Sequence, residues 1–222
     1  MSKIPILILA AGASSRMRGA DKLMQTIDGE ALIHRTARIA RDTGQPVLVA
    51  LPPAPHPRHE AIADLDIRRI DVPNAAEGMN ASLRAGLARL PEDAEAVMIL
   101  LADLPEITTA DLRKVADAFR PDSDTLIWRG ATDNGKPGHP VLFSRSLFGD
   151  IARLTGDSGA QSVVSAHKDR VALIPLPGLH ALRDLDTPED WAAWRAGNSP
   201  EIVKGRALAS PAFGRASRRA QM

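Results

Sequence analysis

Along the chain, unbroken apolar runs of strand length recur at residues 4–9, 47–51, 97–101, 125–128 and 171–174. Runs without polar alternation predict strands covered on both faces. Between them the apolar spacing turns helical. In 32–41, Leu32, Ile33, Ile39 and Ala40 share one face, and Gly44 offers a left-handed stop. Residues 79–90 and 111–119 read the same way, the latter opened by Thr108 and Asp111 at capping-box spacing. Strands alternating with helices predict an α/β fold, a Rossmann-like three-layer sandwich around a mainly parallel sheet. Ligands of such sheets lie beyond the carboxyl ends of the strands.

Two stretches break the alternation. Residues 52–58 hold four prolines and read as an extended surface loop without chemistry. Past Trp194 the chain is rich in Gly, Ala, Ser and Arg, with Glu201 as its only acid. This predicts one domain over 1–195 and a flexible basic tail over 196–222. A single domain suits a chain of 222 residues.

Charge changes the picture little. Lysine and arginine total 28 against 27 acids, so no whole-protein field draws nucleic acid. The absence of cysteine excludes disulfides, thiolate metal sites and a cysteine nucleophile. Lys3 followed by apolar residues 4–11 imitates a secretory leader, but the run is short and leads into Arg16, Arg18 and Lys22, as a strand entering a phosphate loop would. No stretch approaches the ~20 apolar residues that span a bilayer. The expectation is a cytoplasmic protein that binds neither membrane nor nucleic acid.

The chemistry concentrates in three places. Leu9, Ala10, Ala11, Gly12, Ala13, Ser14 and Ser15 leave the first strand as small residues, and Arg16, Arg18 and Lys22 follow. Small side chains let backbone amides approach a polyphosphate, and the cations neutralise a leaving pyrophosphate. Taken alone, the segment fits a solvated loop equally well. Its place after the first strand favours phosphate. Asp103, in Leu-Ala-Asp-Leu-Pro, ends the third apolar run, where a hard carboxylate suits magnesium or a local turn. Thr187, Pro188 and Asp190 explain a helix start structurally. Asp184 and Asp186 are then left over on one side of an extended segment.

Leu-Ala-Ala-Gly-x-Ser-x-Arg-Met with a nearby lysine resembles the signature of nucleotidyltransferases acting on molybdenum cofactor, which share the fold of nucleotide-diphospho-sugar transferases. The resemblance spans about residues 4–194. It implies that residues 9–15 hold the triphosphate with Arg16 and Lys22, and that Asp103 and Asp186 hold Mg2+, with Mn2+ as a substitute. Arg18 stands where the family has glycine. Asn74, Gly78, Met79 and Ser82 match its base and ribose segment, shortened here. Gly138, His139 and Pro140, with Asp157 and Gly159 of Gly-Asp-Ser-Gly-Ala, match segments near the acceptor.

The implied reaction moves a nucleotide from its triphosphate to the terminal phosphate of a molybdopterin-type acceptor, with Arg16, Lys22 and Asp103 as catalytic residues. Ala11, where related guanylyltransferases commonly carry glycine, points to CTP. A molybdenum hydroxylase is the expected recipient of the product. The alternatives are GTP as donor, a sugar or alditol phosphate as acceptor, and a nucleotide-binding chaperone without turnover. A dinucleotide-type glycine pattern after the first strand is absent.

Overall fold

The most apolar stretches lie where burial is most complete, in the middle of one sheet. In the computed structural model, which describes residues 4–197, the strands are β1 (Ile6–Leu9), β2 (Thr26–Ile27), β3 (Glu30–Ala31), β4 (Val47–Leu51), β5 (Arg68–Asp71), β6 (Ala96–Leu101), β7 (Ile127–Ala131), β8 (Pro137–Ser144) and β9 (Val171–Pro175). The helices are α1 (Leu32–Arg41), α2 (Pro57–Glu60), α3 (Met79–Leu87), α4 (Thr109–Asp117), α5 (Phe148–Ala152), α6 (Gln161–Ala166) and α7 (Pro188–Gly197). The expected tail falls outside the described residues from position 198 onward.

Seven strands form the main sheet in the order β5-β4-β1-β6-β8-β7-β9, and β2 pairs with β3 separately. All neighbours in the main sheet are parallel except β8, which runs against both β6 and β7. The architecture is thus the expected α/β sandwich with a mainly parallel sheet. Successive strand residues serve opposite layers. Ile6, Ile8, Met98 and Leu100 pack with Leu32 and Ala37 of α1, Leu112 of α4 and Trp191 of α7. Leu7, Val97, Ile99 and Phe143 pack with Leu83 of α3, Ile151 of α5 and Val163 of α6. Helix α3 lies so close to β1 that a Cβ on Gly86 would stand 2.2 Å from Leu7 Cδ2.

The chain runs outward from β1 through β4 to β5, then returns to place β6 on the other side of β1. This reversal opens a crevice beyond the carboxyl ends of β1 and β6. The capping boxes expected before α4 and α7 are both formed, by Thr108 with Asp111 and by Thr187 with Asp190.

Three expectations need correction. Residues 52–58 are not all extended: Pro57 opens α2, with the His56 side chain accepting from the Arg58 amide. A capping residue followed by proline at the first helical position is a helix start, hidden by the prolines around it. The turn-dense segment before Val141 is mostly strand, because β8 begins at Pro137. Its prolines are accommodated at the strand start and beside the register shift opposite Arg129 and Ala131. Helix α3 stops at Leu87, short of residue 90.

Candidate active site

The loop after β1 brings small residues to the crevice and returns as two short helical turns, Ser15–Met17 and Lys22–Met24. Ser14 and Arg18 flank the first turn with left-handed backbone (φ 53° each). Gly12, Ala13, Ser15 and Arg16 are exposed, whereas Ala10 and Ala11 are buried and Leu9 lies half-buried at the strand end. A groove of about 400 Å3 runs along residues 11–15 and 19–21, with His56 and Arg58 on its far side.

What fixes this loop is Arg58, to which the sequence reading gave no role. Its side chain is 2% exposed. Nη1 donates to the carbonyls of Ala10 (2.6 Å) and Gly12 (2.8 Å). Nε and Nη2 form a fork on the two Asp21 oxygens at 2.7 Å each, and Nη2 also reaches Ser14 Oγ at 3.0 Å. Burial would raise the Asp21 carboxyl, but the hydrogen bonds and charge of Arg58 outweigh it and hold the group below its ordinary value. Asp21 in turn accepts from the Leu23 amide, so one guanidinium ties together both ends of the loop. The sequence signal was faint: a proline at the first position of a short helix, followed at once by the cation.

Across the crevice the acids converge on cations. Lys22 Nζ lies 2.5 Å from Asp103 Oδ2 and 2.7 Å from Asp186 Oδ1, and Arg16 Nη2 lies 2.7 Å from Asp186 Oδ2. Residues separated by 164 positions, Lys22 and Asp186, thereby meet. Burial opposes the charge on Lys22, yet the two carboxylates prevail and keep its ammonium above its ordinary value. Asp184, exposed at its outer edge, is pushed up by partial desolvation and by the charges of Asp186 and Asp103. Asp103 Oδ1 is buried without a hydrogen-bond partner.

This donor set fits a divalent cation. Hard carboxylate oxygens converge, one of them unpartnered, and their mutual repulsion is relieved only by positive charge. Among the described residues no three acidic or imidazole side chains form a closed cage. Magnesium characteristically uses one or two carboxylates and completes its shell with water and substrate phosphate.

Of the remaining predicted residues, Met79, His139 and Gly159 line an adjoining cavity, and the others do not. Asn74 is exposed and Ser82 is buried within α3. Met79 begins α3, and its amide donates to Asp157 Oδ1 at 2.7 Å. Gly78 permits this approach: its φ is +105°, and a Cβ there would stand 2.7 Å from Asp157 Cβ. Asn80 Nδ2 and Arg84 Nη1 bind the carbonyls of Thr155 and Leu154, so the loop bearing Asp157 and Gly159 is docked on α3. Gly138 packs on the Ala181 carbonyl and Pro140 is buried, whereas the His139 ring faces a cavity of about 180 Å3 shared with Met79 and Gly159. Burial pushes His139 down to about 4, assisted by Arg129.

A family model described as the MobA-like NTP transferase domain matches residues 6–171. The chain belongs to this family. As a MobA-like transferase it is a nucleotidyltransferase, and the match includes β1, the phosphate-type loop and Asp103. A probable molybdenum cofactor guanylyltransferase of Synechococcus elongatus is 33% identical over 192 residues, 84% of this chain and 95% of that protein. The crystal structure of Rv0371c from Mycobacterium tuberculosis H37Rv superposes with a TM-score of 0.73 at 31% identity, covering 87% of this chain and 97% of that one. A structure of Rv0371c in complex with manganese gives 0.72 at 29% identity, covering 86% and 97%. In this MobA-like chain no helix among the described residues is long and apolar enough to cross a membrane.

Proposed function

We propose that this nucleotidyltransferase transfers CMP from CTP to the terminal phosphate of molybdopterin, releasing pyrophosphate. The observation that carries the reading is the cluster of Lys22, Arg16, Asp103 and Asp186 at the carboxyl ends of β1 and β6, beside a loop of exposed backbone held by Arg58.

The triphosphate lies along residues 9–15, with Asn74, Gly78, Met79 and Ser82 on the nucleoside side and Gly138, His139, Pro140, Asp157 and Gly159 towards the acceptor. An oxygen of the acceptor phosphate attacks the α-phosphorus in line. The bond from that phosphorus to the β-phosphate oxygen breaks, and pyrophosphate leaves with the electron pair. The second pKa of a phosphate monoester is near 6, so the nucleophile is already ionised at neutral pH and no strong base is required. Alignment and charge neutralisation remain as the tasks of the protein. Arg16 and Lys22 are placed to leave their carboxylate partners and receive the growing negative charge of the leaving group. Asp103 and Asp186 would hold Mg2+, or Mn2+ in its place, which when bound supplies Lewis-acid charge neutralisation. A cytoplasmic setting and a molybdenum hydroxylase as recipient belong to the same proposal.

The choice of CTP rests on Ala11, whose methyl group is buried at the head of the loop. A purine would be crowded there, and a methyl group is worth ~1–3 kcal/mol of discrimination. The guanylyltransferase name of the Synechococcus relative supports GTP as the second reading. The test is magnesium-dependent pyrophosphate release with purified molybdenum cofactor, comparing CTP, GTP and ATP. Turnover dominated by CTP is expected. Dominance of GTP selects the second reading, and nucleotide binding without pyrophosphate release from any donor refutes transfer to this acceptor.

A further inference from the structure

Strand alternation places Arg129 on the same side of β7 as the fully buried Ile127, in the layer covered by α3 and α6. A cation there is costly to keep. Burial lowers the Arg129 guanidinium from its ordinary value, and no acidic neighbour offsets that effect. Its Nε donates to the Gly138 carbonyl at 2.8 Å. Among the described residues no carboxylate pairs with it, so its two terminal nitrogens are left for something else.

Arg129 lines the cavity of about 180 Å3. Leu83, Ile99, Val141 and Phe143 supply an apolar wall, with the neutral His139 ring beside them. The cavity reaches Leu9, where the phosphate-type loop begins. An unpaired guanidinium against apolar side chains, one step from the acidic cluster, is the complement of an anionic group carried on a flat ring.

We infer that Arg129 is the anion anchor of a second substrate subsite, gripping the phosphate of a phosphomonoester whose ring lies against Ile99, Val141 and Phe143. Identifying that ligand with the acceptor rests on the transfer reading above. The anion subsite itself does not. The fork of Arg129 matches phosphate in a way an ammonium does not.

The test uses the full chain and 4-nitrophenyl phosphate as probe, with 4-nitrophenol and inorganic phosphate as its two halves, titrated by ligand-observed NMR. Wild type is expected to bind the whole probe more tightly than either half. Arg129→Gln, which keeps an amide donor for the Gly138 carbonyl, is expected to weaken the probe at least tenfold while Mg-CTP and Mg-GTP affinities stay within twofold; Arg129→Lys falls between. In wild type, the probe should also protect Arg129 from phenylglyoxal, read by peptide mass. Equal probe affinity in Arg129→Gln, no preference for the phosphate, or absence of protection overturns the inference. Should these results hold while molybdenum cofactor fails as acceptor, the subsite stands and the acceptor assignment falls.

Discussion

Replacing Arg58 by methionine keeps most of the apolar stem and removes every polar contact of the guanidinium. The Ala10 and Gly12 carbonyls, Ser14 Oγ and both Asp21 oxygens lose their donor. Breaking a buried ion pair costs ~3–5 kcal/mol, largely because the remaining charge is stranded. The Asp21 side chain is 24% exposed, so water recovers part of that cost, and the lower end, about 3 kcal/mol, is expected. For a chain of this length that lowers Tm by about 6–12 °C. The loop also loses its fixed backbone, so affinity for Mg-CTP or Mg-GTP falls at least tenfold. Differential scanning calorimetry and titration calorimetry measure the two effects separately.

Two further comparisons sharpen this prediction. Adding Asp21→Asn to Arg58→Met removes the stranded charge and is expected to restore about 1–2 kcal/mol, a coupling typical of direct partners. The Asp21 carboxyl is held below the ordinary carboxylate value by Arg58, so its contribution is present above that ordinary value and is lost as pH falls through the lower folded one. The gap between wild type and Arg58→Met therefore narrows in acid. A variant that melts within about 2 °C of wild type and binds nucleotide normally would refute the role given to Arg58.

Lys22→Met and Asp103→Ala should each lower turnover by ~10²-fold or more, as loss of a charge-stabilising group does; yet Lys22→Met, which unmasks the two carboxylates, should bind Mn2+ more tightly without nucleotide, read by electron paramagnetic resonance. Weaker Mn2+ binding in that variant would contradict the ion-pair picture. Gly86→Ala forces a methyl group into Leu7 and should destabilise by ~1–3 kcal/mol in urea unfolding without changing the m-value. His139 is depressed from 6.5 to about 4, so it favours the fold above pH 6.5, and that favour is lost as pH falls towards 4 because the unfolded chain takes up the proton first. His139→Gln should flatten the stability profile across that window by up to roughly 1.4 kcal/mol per pH unit; parallel profiles would show that the ring is not shielded as described.

The parallel half of the sheet was legible because its strands are apolar without interruption, and β1, β4 and β6 lie within a residue or two of the expected runs. The Lys22, Asp103 and Asp186 cluster was legible through local motifs, each placed at a strand end or before a helix. Arg58 was not, because nothing in residues 52–58 separates a buried cation from a solvated one: its burial is created by Asp21 and the carbonyls it meets, 37 to 48 positions away. The start of β8 was hidden for a related reason. Proline and glycine signal turns locally, but neighbouring strands and the Ala181 carbonyl decide what Gly138 and Pro140 become. Arg129 was concealed by position: only knowledge of which side of β7 faces α3 turns a charged residue in a strand into an anomaly.

Strand β8 runs against its neighbours, and that reversal separates two flanks of the crevice. Because β8 enters the sheet from the crevice side, the β7–β8 hairpin brings Arg129 and His139 towards the rim where β6 delivers Asp103, with no crossover helix in between. The loop after β1, with its brace in α2, lies on the other flank. On the transfer reading proposed above, descendants of such a fold exchange one hairpin to change the co-substrate and keep the loop after β1. On the same reading, grafting residues 127–144 from a relative is the smallest transplant expected to alter the acceptor and leave the donor unchanged.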